Sequence, residues 1–162
     1  MMKPENNAPH IYFSLQNIHD QFSITMTDSP DPADVEVIKQ GLDSFDASQG
    51  AVVDWVPLAL FARNTEGVIV AGLTGSTYWG YLYVGRLWTG ERFRKAGLGS
   101  RLLAEAEQEA QRRGCHSVHL MTGSFNALPF YQKRGYTVFG ELQDMPIGHT
   151  QYFMCKNVKK RE

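Results

Sequence analysis

The run Arg94-Lys95-Ala96-Gly97-Leu98-Gly99 lies between a strand-like stretch and the most regular apolar periodicity in the chain. Upstream, Tyr81 to Thr89 is rich in aromatic and branched residues that favour strands. Downstream, Leu98, Leu102, Leu103, Ala106 and Ala110 form one apolar stripe, with Arg101, Glu105, Gln108 and Arg112 on the wet side. That spacing predicts an amphipathic helix over Leu98 to Arg113, ended by Gly114. Strand, two-glycine loop and helix in this order put a helix N-terminus beside a strand end. The glycines let backbone approach a ligand closely. The first helical turn adds unpaired N–H groups and a partial positive charge. Together they suit an anion, most simply a phosphate or pyrophosphate.

Two familiar phosphate loops are excluded. A Walker loop ends in Gly-Lys-Ser/Thr, whereas Ser100 follows Gly99 directly. A dinucleotide fingerprint needs a third glycine early in a βαβ unit; only Gly97 and Gly99 fit, and they stand late in the chain.

The rest of the chain reads as follows. Phe22, Ile24 and Met26 alternate with Ser23, Thr25 and Thr27, the pattern of a strand. Asp28-Ser29-Pro30-Asp31-Pro32 breaks it and can cap a helix carrying Val35, Ile38 and Leu42, followed by a loop from Asp43 to Gly50. Val56 to Ala62 and Val68 to Tyr78 form a hairpin, and Gly80 turns the chain into Tyr81 to Thr89. Beyond the long helix come a strand (Ser117 to Thr122), a short helix (Asn126 to Arg134) and two more strands (Tyr136 to Leu142, Gln151 to Lys156). The order β-α-β-β-β-α-β-α-β-β is mixed α/β with an antiparallel front half. We expect one domain over residues 21–158, preceded by residues 1–20 as a loose arm or an extra strand.

Composition narrows the function. A chain of 162 residues, 43% hydrophobic, is long enough to bury a core. No apolar run approaches ~18 residues, so no membrane span is expected. The first residues lack the apolar segment of a signal peptide, which makes the cytoplasm the expected compartment. Cys115 and Cys155 are expected to be free thiols. The histidines show no zinc spacing, and no metal is expected. Residues 1–60 hold nine acids against Lys3 and Lys39, a balance of −7; the remainder holds eight acids against 14 bases, +6. The basic part carries the anion loop, as an anionic ligand would favour. The near-neutral total argues against a nucleic-acid binder.

A second block, Asn126-Ala127-Leu128-Pro129-Phe130-Tyr131-Gln132-Lys133-Arg134-Gly135-Tyr136, makes a resemblance specific. Paired with the glycine loop, it is similar to the GNAT superfamily of acyl-CoA-dependent N-acetyltransferases. Arg94, Gly97 and Gly99 match that family's phosphate motif. Asn126, Phe130, Tyr131, Gly135 and Tyr136 match its later motif, with Ala127 displaced by a place or two from the usual small residue. The resemblance covers roughly residues 22–156. The tail Glu141 to His149 with Tyr152-Phe153 resembles a bacterial subgroup of small members.

The resemblance implies an acyl-CoA N-acyltransferase fold: a central mixed, mostly antiparallel twisted sheet flanked by helices. It implies that backbone amides from Arg94, Lys95, Ala96, Gly97, Leu98, Gly99 and Ser100 hold the pyrophosphate of acetyl-CoA, the acyl donor. The strand ending Leu87-Trp88-Thr89 would splay from its neighbour to admit the pantetheine arm, and an amide near Leu87 or Trp88 would polarise the thioester carbonyl. Asn126 would contact the arm, and Tyr131 would protonate the leaving thiolate. Many relatives carry an acidic base on the strand before the loop. Here Gly85 and Arg86 occupy the expected place, so no base is assigned; water, His119 or an acid of the front half are open alternatives. Arg86 meets either an anionic group on the acceptor or solvent. The implied reaction acetylates a primary amine in a ternary complex. A small cationic acceptor is expected because the acidic front half, with Asp43, Asp46 and Asp54, walls the acceptor side in this family. A non-catalytic acyl-CoA sensor and a peptide or protein N-acetyltransferase are the alternatives. The exposed region around Trp79-Gly80-Tyr81 and the last strand are compatible with a homodimer.

Overall fold

A computed structural model describes residues 22–51 and 54–159. By internal contact the chain divides into two compact units, Met1–Leu42 and Asp43–Glu162. The arm expected over residues 1–20 lies outside the described residues.

In the first unit, the strand expected at Phe22 to Met26 is not formed. The segment is irregular, and Ile24 and Met26 are 99% and 100% exposed. Alternation makes a strand only where one face is buried and a neighbouring strand accepts the ladder bonds, and no described strand pairs with this segment. Helix α1 spans Pro32–Ser48, its last six residues falling in the second unit. Asp31 caps it: its Oδ1 accepts the Ala33 N–H at 2.8 Å, and Pro32 at the first position has no N–H to leave unpaired. The loop expected from Asp43 is corrected, because the helix runs on to Ser48. Asp43 and Asp46 are weak helix formers but not breakers; the first real stop is Gly50, at φ 82°.

In the second unit, the strands are β1 (Val56–Arg63), β2 (Ile69–Tyr78), β3 (Tyr81–Thr89), β4 (Ser117–Gly123), β5 (Thr137–Gln143) and β6 (Thr150–Asn157). Helix α2 (Leu98–Arg112) joins β3 to β4, and α3 (Leu128–Gln132) joins β4 to β5. The sheet order is β1-β2-β3-β4-β6-β5. Among the described strands, only β3 and β4 run parallel, which requires the α2 crossover; the other described neighbours are antiparallel. The stripe Leu102, Leu103, Ala106 and Ala110 is buried, in one core with Leu73, Leu82, Val84 and Val118 of the strands. Gly114, at φ 80°, ends α2 while Cys115 N–H reaches back to the Ala110 carbonyl at 2.8 Å.

The end of α3 and the sheet clasp α2 through Glu107. Tyr136 donates its hydroxyl to Glu107 Oε1 at 2.9 Å, and Lys156 Nζ bonds Oε2 at 2.6 Å. Burial, together with the adjacent carboxylate, holds the Tyr136 phenol far above its usual range, so it remains a donor. Tyr136→Phe removes one bond to a charged acceptor while Lys156 still serves Glu107. We expect a loss of about 1–2 kcal/mol, read as a melting temperature lower by several degrees. An unchanged melting curve would show that the clasp contributes nothing.

Candidate active site

The site is created by an interruption of the sheet. β3 pairs with β4 only from Tyr81–Ser117 to Val84–Leu120. Beyond that, β4 stays paired with β6 as far as Gly123–Gln151, and β3 stays paired with β2 as far as Thr89–Ala71. The two parallel strands therefore part after Val84. On the side facing β4, the backbone groups of Gly85 to Thr89 have no strand partner among the described residues. A bulge marks the parting: Thr74 is opposite Arg86 and Gly75 opposite Val84, so Gly85 is the extra residue. The bulge needs Gly75, because a Cβ there would stand 2.1 Å from the Tyr83 carbonyl oxygen.

The mouth of this gap is the glycine loop. A 3₁₀ turn at Glu91–Phe93 leads into it. Arg94 closes that turn with its own N–H and folds its side chain back, Nε to the Thr89 carbonyl, at 3.3 Å. The following amides, from Lys95 through Ser100, donate to no protein acceptor among the described residues. Lys95 and Gly97 both have left-handed backbone, at φ 66° and 82°. Alternation of this kind turns successive N–H groups toward one side, the arrangement of an anion nest. The two glycines differ in their reasons. A Cβ on Gly97 would meet nothing within 4 Å, so the space above it is open. A Cβ on Gly99 would face Thr89 Oγ1 at 3.4 Å and the Phe130 ring at 3.8 Å, so that glycine permits close packing of helix on strand.

The gap opens into a cavity of about 600 Å³. Leu87, Trp88 and Thr89 line it from β3; Arg94, Lys95, Gly97, Leu98, Gly99 and Ser100 from the loop and α2; Asn126 and Tyr131 from the opposite wall. Of the residues expected from the sequence, only Ala96 is not on the lining. Phe93, Ala127, Phe130 and Arg134 line it as well and were not anticipated. Arg134 carried a signal. It stands four residues after Phe130, one helical turn on, where its guanidinium covers the Phe130 ring at 3.6 Å. It donates to the Phe130 carbonyl at 2.7 Å and to Ser100 Oγ, tying α3 to the first turn of α2.

Tyr131 is 7% exposed, its ring set edge-on to Phe130 and Tyr136. No hydrogen bond to its hydroxyl occurs among the described residues, and no fully buried side-chain oxygen among them lacks a partner. The hydroxyl therefore opens to the cavity. Burial raises its pKa, and nearby Arg134 offsets this in part, so the group is protonated at neutral pH. Arg86 is exposed and makes no ion pair among the described residues, which is open to either of its two expected roles. His119 lies on the face of the sheet away from α2, half-buried, with Tyr78 Oη 3.0 Å from Nε2. Its pKa is lowered by burial. Cys115 and Cys155 are free thiols. No helix among the described residues is long and apolar enough to span a membrane.

Residues 25–136 match the model of the acetyltransferase (GNAT) family. The chain belongs to that family. It is accordingly an acetyl-CoA-dependent acetyltransferase. An acetyltransferase from Agrobacterium fabrum is 30% identical over 128 residues, 79% of this chain and 93% of its own length. A blasticidin-S acetyltransferase from Streptomyces morookaense is 38% identical over 101 residues, 62% of this chain and 74% of its own length. Among solved structures, an acetyltransferase from Bacillus cereus is 33% identical, covers 82% of this chain and 97% of its own, and superposes with a TM-score of 0.73. The acetyltransferase's site fits the donor it requires: the row of unpaired amides suits a pyrophosphate, and the unpaired edge of β3 suits an amide-bearing arm.

Proposed function

We propose that the protein transfers the acetyl group of acetyl-CoA to a primary amine of a small cationic acceptor, in a ternary complex. The observation that carries this is the parted strand pair. Its open edge leads from the unpaired amides of Lys95 through Ser100 to the buried, protonated Tyr131. In this reading those amides hold the pyrophosphate, and Asn126 contacts the arm. An amide near Leu87 or Trp88 receives the charge that develops on the thioester oxygen. Tyr131 donates a proton to the departing sulfur, a suitable match because phenol and thiol are of similar basicity. Positioning supplies the rest, and the thioester supplies the leaving group.

A thiol-release assay with acetyl-CoA across amines, amino acids, aminoglycosides and peptides tests the reaction. Blasticidin S belongs in the panel because a relative is named for it. Release only with peptides, or with no acceptor despite tight acetyl-CoA binding, would overturn the proposal. The acidic front half gives a second test. Neutralising Asp43, Asp46 and Asp54 together to asparagine should raise acceptor KM about five- to tenfold, as expected for lost steering and attraction of a cation. An unchanged acceptor KM would remove the cationic part of the reading.

A further inference from the structure

We propose that the acceptor docks on the sheet face opposite α2, against an aromatic group of Trp55, Tyr78, Tyr81 and Tyr83, and gives up its proton to the Tyr78–His119 pair. This rests on the N-acetyltransferase reading above and assigns the proton acceptor that the sequence left open.

The first face of the sheet is closed to an acceptor. Leu102, Leu103 and Ala106 of α2 fill it, all nearly or fully buried. At the bulge, both Gly85 and Arg86 fall between inward-facing Val84 and Leu87 and are exposed on the second face. From that bulge a continuous run of rings leads outward. The Tyr83 ring leans along the strand over Gly85, near enough that a Cβ there would be 3.4 Å from it. Tyr83 lies 5.1 Å from the His119 ring at a tilt of 31°. His119 meets the Tyr78 hydroxyl at 3.0 Å, and Trp55 stacks on Tyr78 at 4.7 Å, nearly parallel. Trp55 is 60% exposed, so the run reaches solvent. Such ring faces attract ammonium and guanidinium groups. The run thus joins a cation-attracting surface to the point where the strands part. The ligand class it suits is an organic cation with a flat, unsaturated portion.

His119 is placed to take a proton rather than to hold a charge. Tyr78 faces it from β2, Tyr81 and Tyr83 from β3, and Cys155 from the register position on β6. No carboxylate, lysine or arginine bonds it among the described residues, and burial alone lowers its pKa. The imidazole is neutral at neutral pH and available as a base. The step balances as follows. Tyr78 and His119 lie in register with Tyr81 and Tyr83, short of Leu87 along β3, so the ammonium proton of the acceptor passes through water to Tyr78 Oη while the Tyr78 proton passes to His119 Nε2. The freed nitrogen pair forms the N–C bond to the thioester carbon, the C–S bond breaks, and sulfur takes a proton from Tyr131. Water carries the second nitrogen proton back to Tyr131, and the imidazolium releases its proton to solvent. One proton is released per turnover.

His119→Phe keeps an aromatic ring in the same packing and removes the base. With blasticidin S, or the fastest amine of the panel if that does not turn over, acceptor kcat/KM at pH 7 should fall about tenfold. That is less than the usual ~10²-fold or more of a general base, because water reaches this half-buried pair and can replace it. Because burial lowers the His119 pKa, the wild-type rate should decline only on the acid side of the ordinary imidazole range, where protonation removes the base, and this acid limb should be missing from the variant. Acetyl-CoA KM should not move. Trp55→Ala should raise acceptor KM and leave acetyl-CoA KM unchanged. A His119→Phe enzyme that keeps both its rate and its acid limb would overturn the proposal while leaving the transferase reading intact. Wild-type protein with no thiol release for any amine would instead sink that reading, and this one with it.

Discussion

Gly97→Asn is expected to raise the KM for acetyl-CoA about 30-fold, with kcat at saturation little changed. The physical reason lies in two independent properties of the position. Its backbone is left-handed at φ 82°, which orients the neighbouring amides outward. The space that a side chain would enter is open, with no protein atom within 4 Å of a Cβ. Asparagine tolerates left-handed backbone better than other side chains, so the loop should keep its shape while its mouth is obstructed. Loss of one charge-assisted bond between an amide and a phosphate oxygen costs about 2 kcal/mol, which sets the 30-fold figure. Gly114→Ala is the control. Gly114 has nearly the same φ, 80°, and equally open surroundings, but it ends α2 at the far end from the loop. It should lose about 1 kcal/mol of stability through backbone strain and show no change in KM. Isothermal titration with acetyl-CoA and thermal melts on both variants separate the effects. Unaltered affinity in Gly97→Asn would mean that the amides of Lys95 through Ser100 do not hold the donor.

Much of this arrangement is legible in the residues because local and global signals agree. The stripe from Leu98 to Ala110 repeats at helical spacing, and Gly114 supplies the one conformation that stops it. The hairpin strands β1 to β3 are bounded by Asn64, Gly67 and Gly80, so their limits differ from the expectation by a residue at most. Where the pattern misled, a partner was missing. Phe22, Ile24 and Met26 alternate as a strand should, but alternation cannot reveal that no described strand pairs with them. Asp43 and Asp46 look like loop residues by type, yet a helix already nucleated from Asp31 carries weak formers through at a cost of tenths of a kcal/mol each. At the site, glycine spacing marked the loop, but it could not distinguish Gly97, which clears a path, from Gly99, which fits helix to strand. The Arg134–Ser100 and Tyr78–His119 contacts were illegible for a different reason. They join residues 34 and 41 positions apart, and only the parallel crossover and the sheet register bring them together.

Tyr131→Phe is expected to lower kcat about 100-fold while leaving acetyl-CoA affinity and melting temperature nearly unchanged. The split follows from what the hydroxyl does in the free protein. It makes no hydrogen bond among the described residues, so its removal leaves no buried partner unsatisfied and costs little stability. The ring, which packs against Phe130 and Tyr136, is retained. What disappears is a proton donor toward the leaving sulfur, and acid–base groups of this kind contribute about 10²-fold or more. An interaction made mainly in the transition state changes kcat rather than binding. Burial raises the Tyr131 pKa above the ordinary phenol value of about 10, so the donor stays protonated through neutral and mildly alkaline pH. Any basic limb in the wild-type profile below about pH 10 must therefore come from another group and should persist in the variant. Steady-state kinetics, donor titration and a melting curve on one preparation test all three expectations. A variant with wild-type kcat would show that the thiolate leaves unassisted or is protonated by water. A variant with weakened donor binding and unchanged kcat would move Tyr131 from the chemistry to the wall that holds the pantetheine arm.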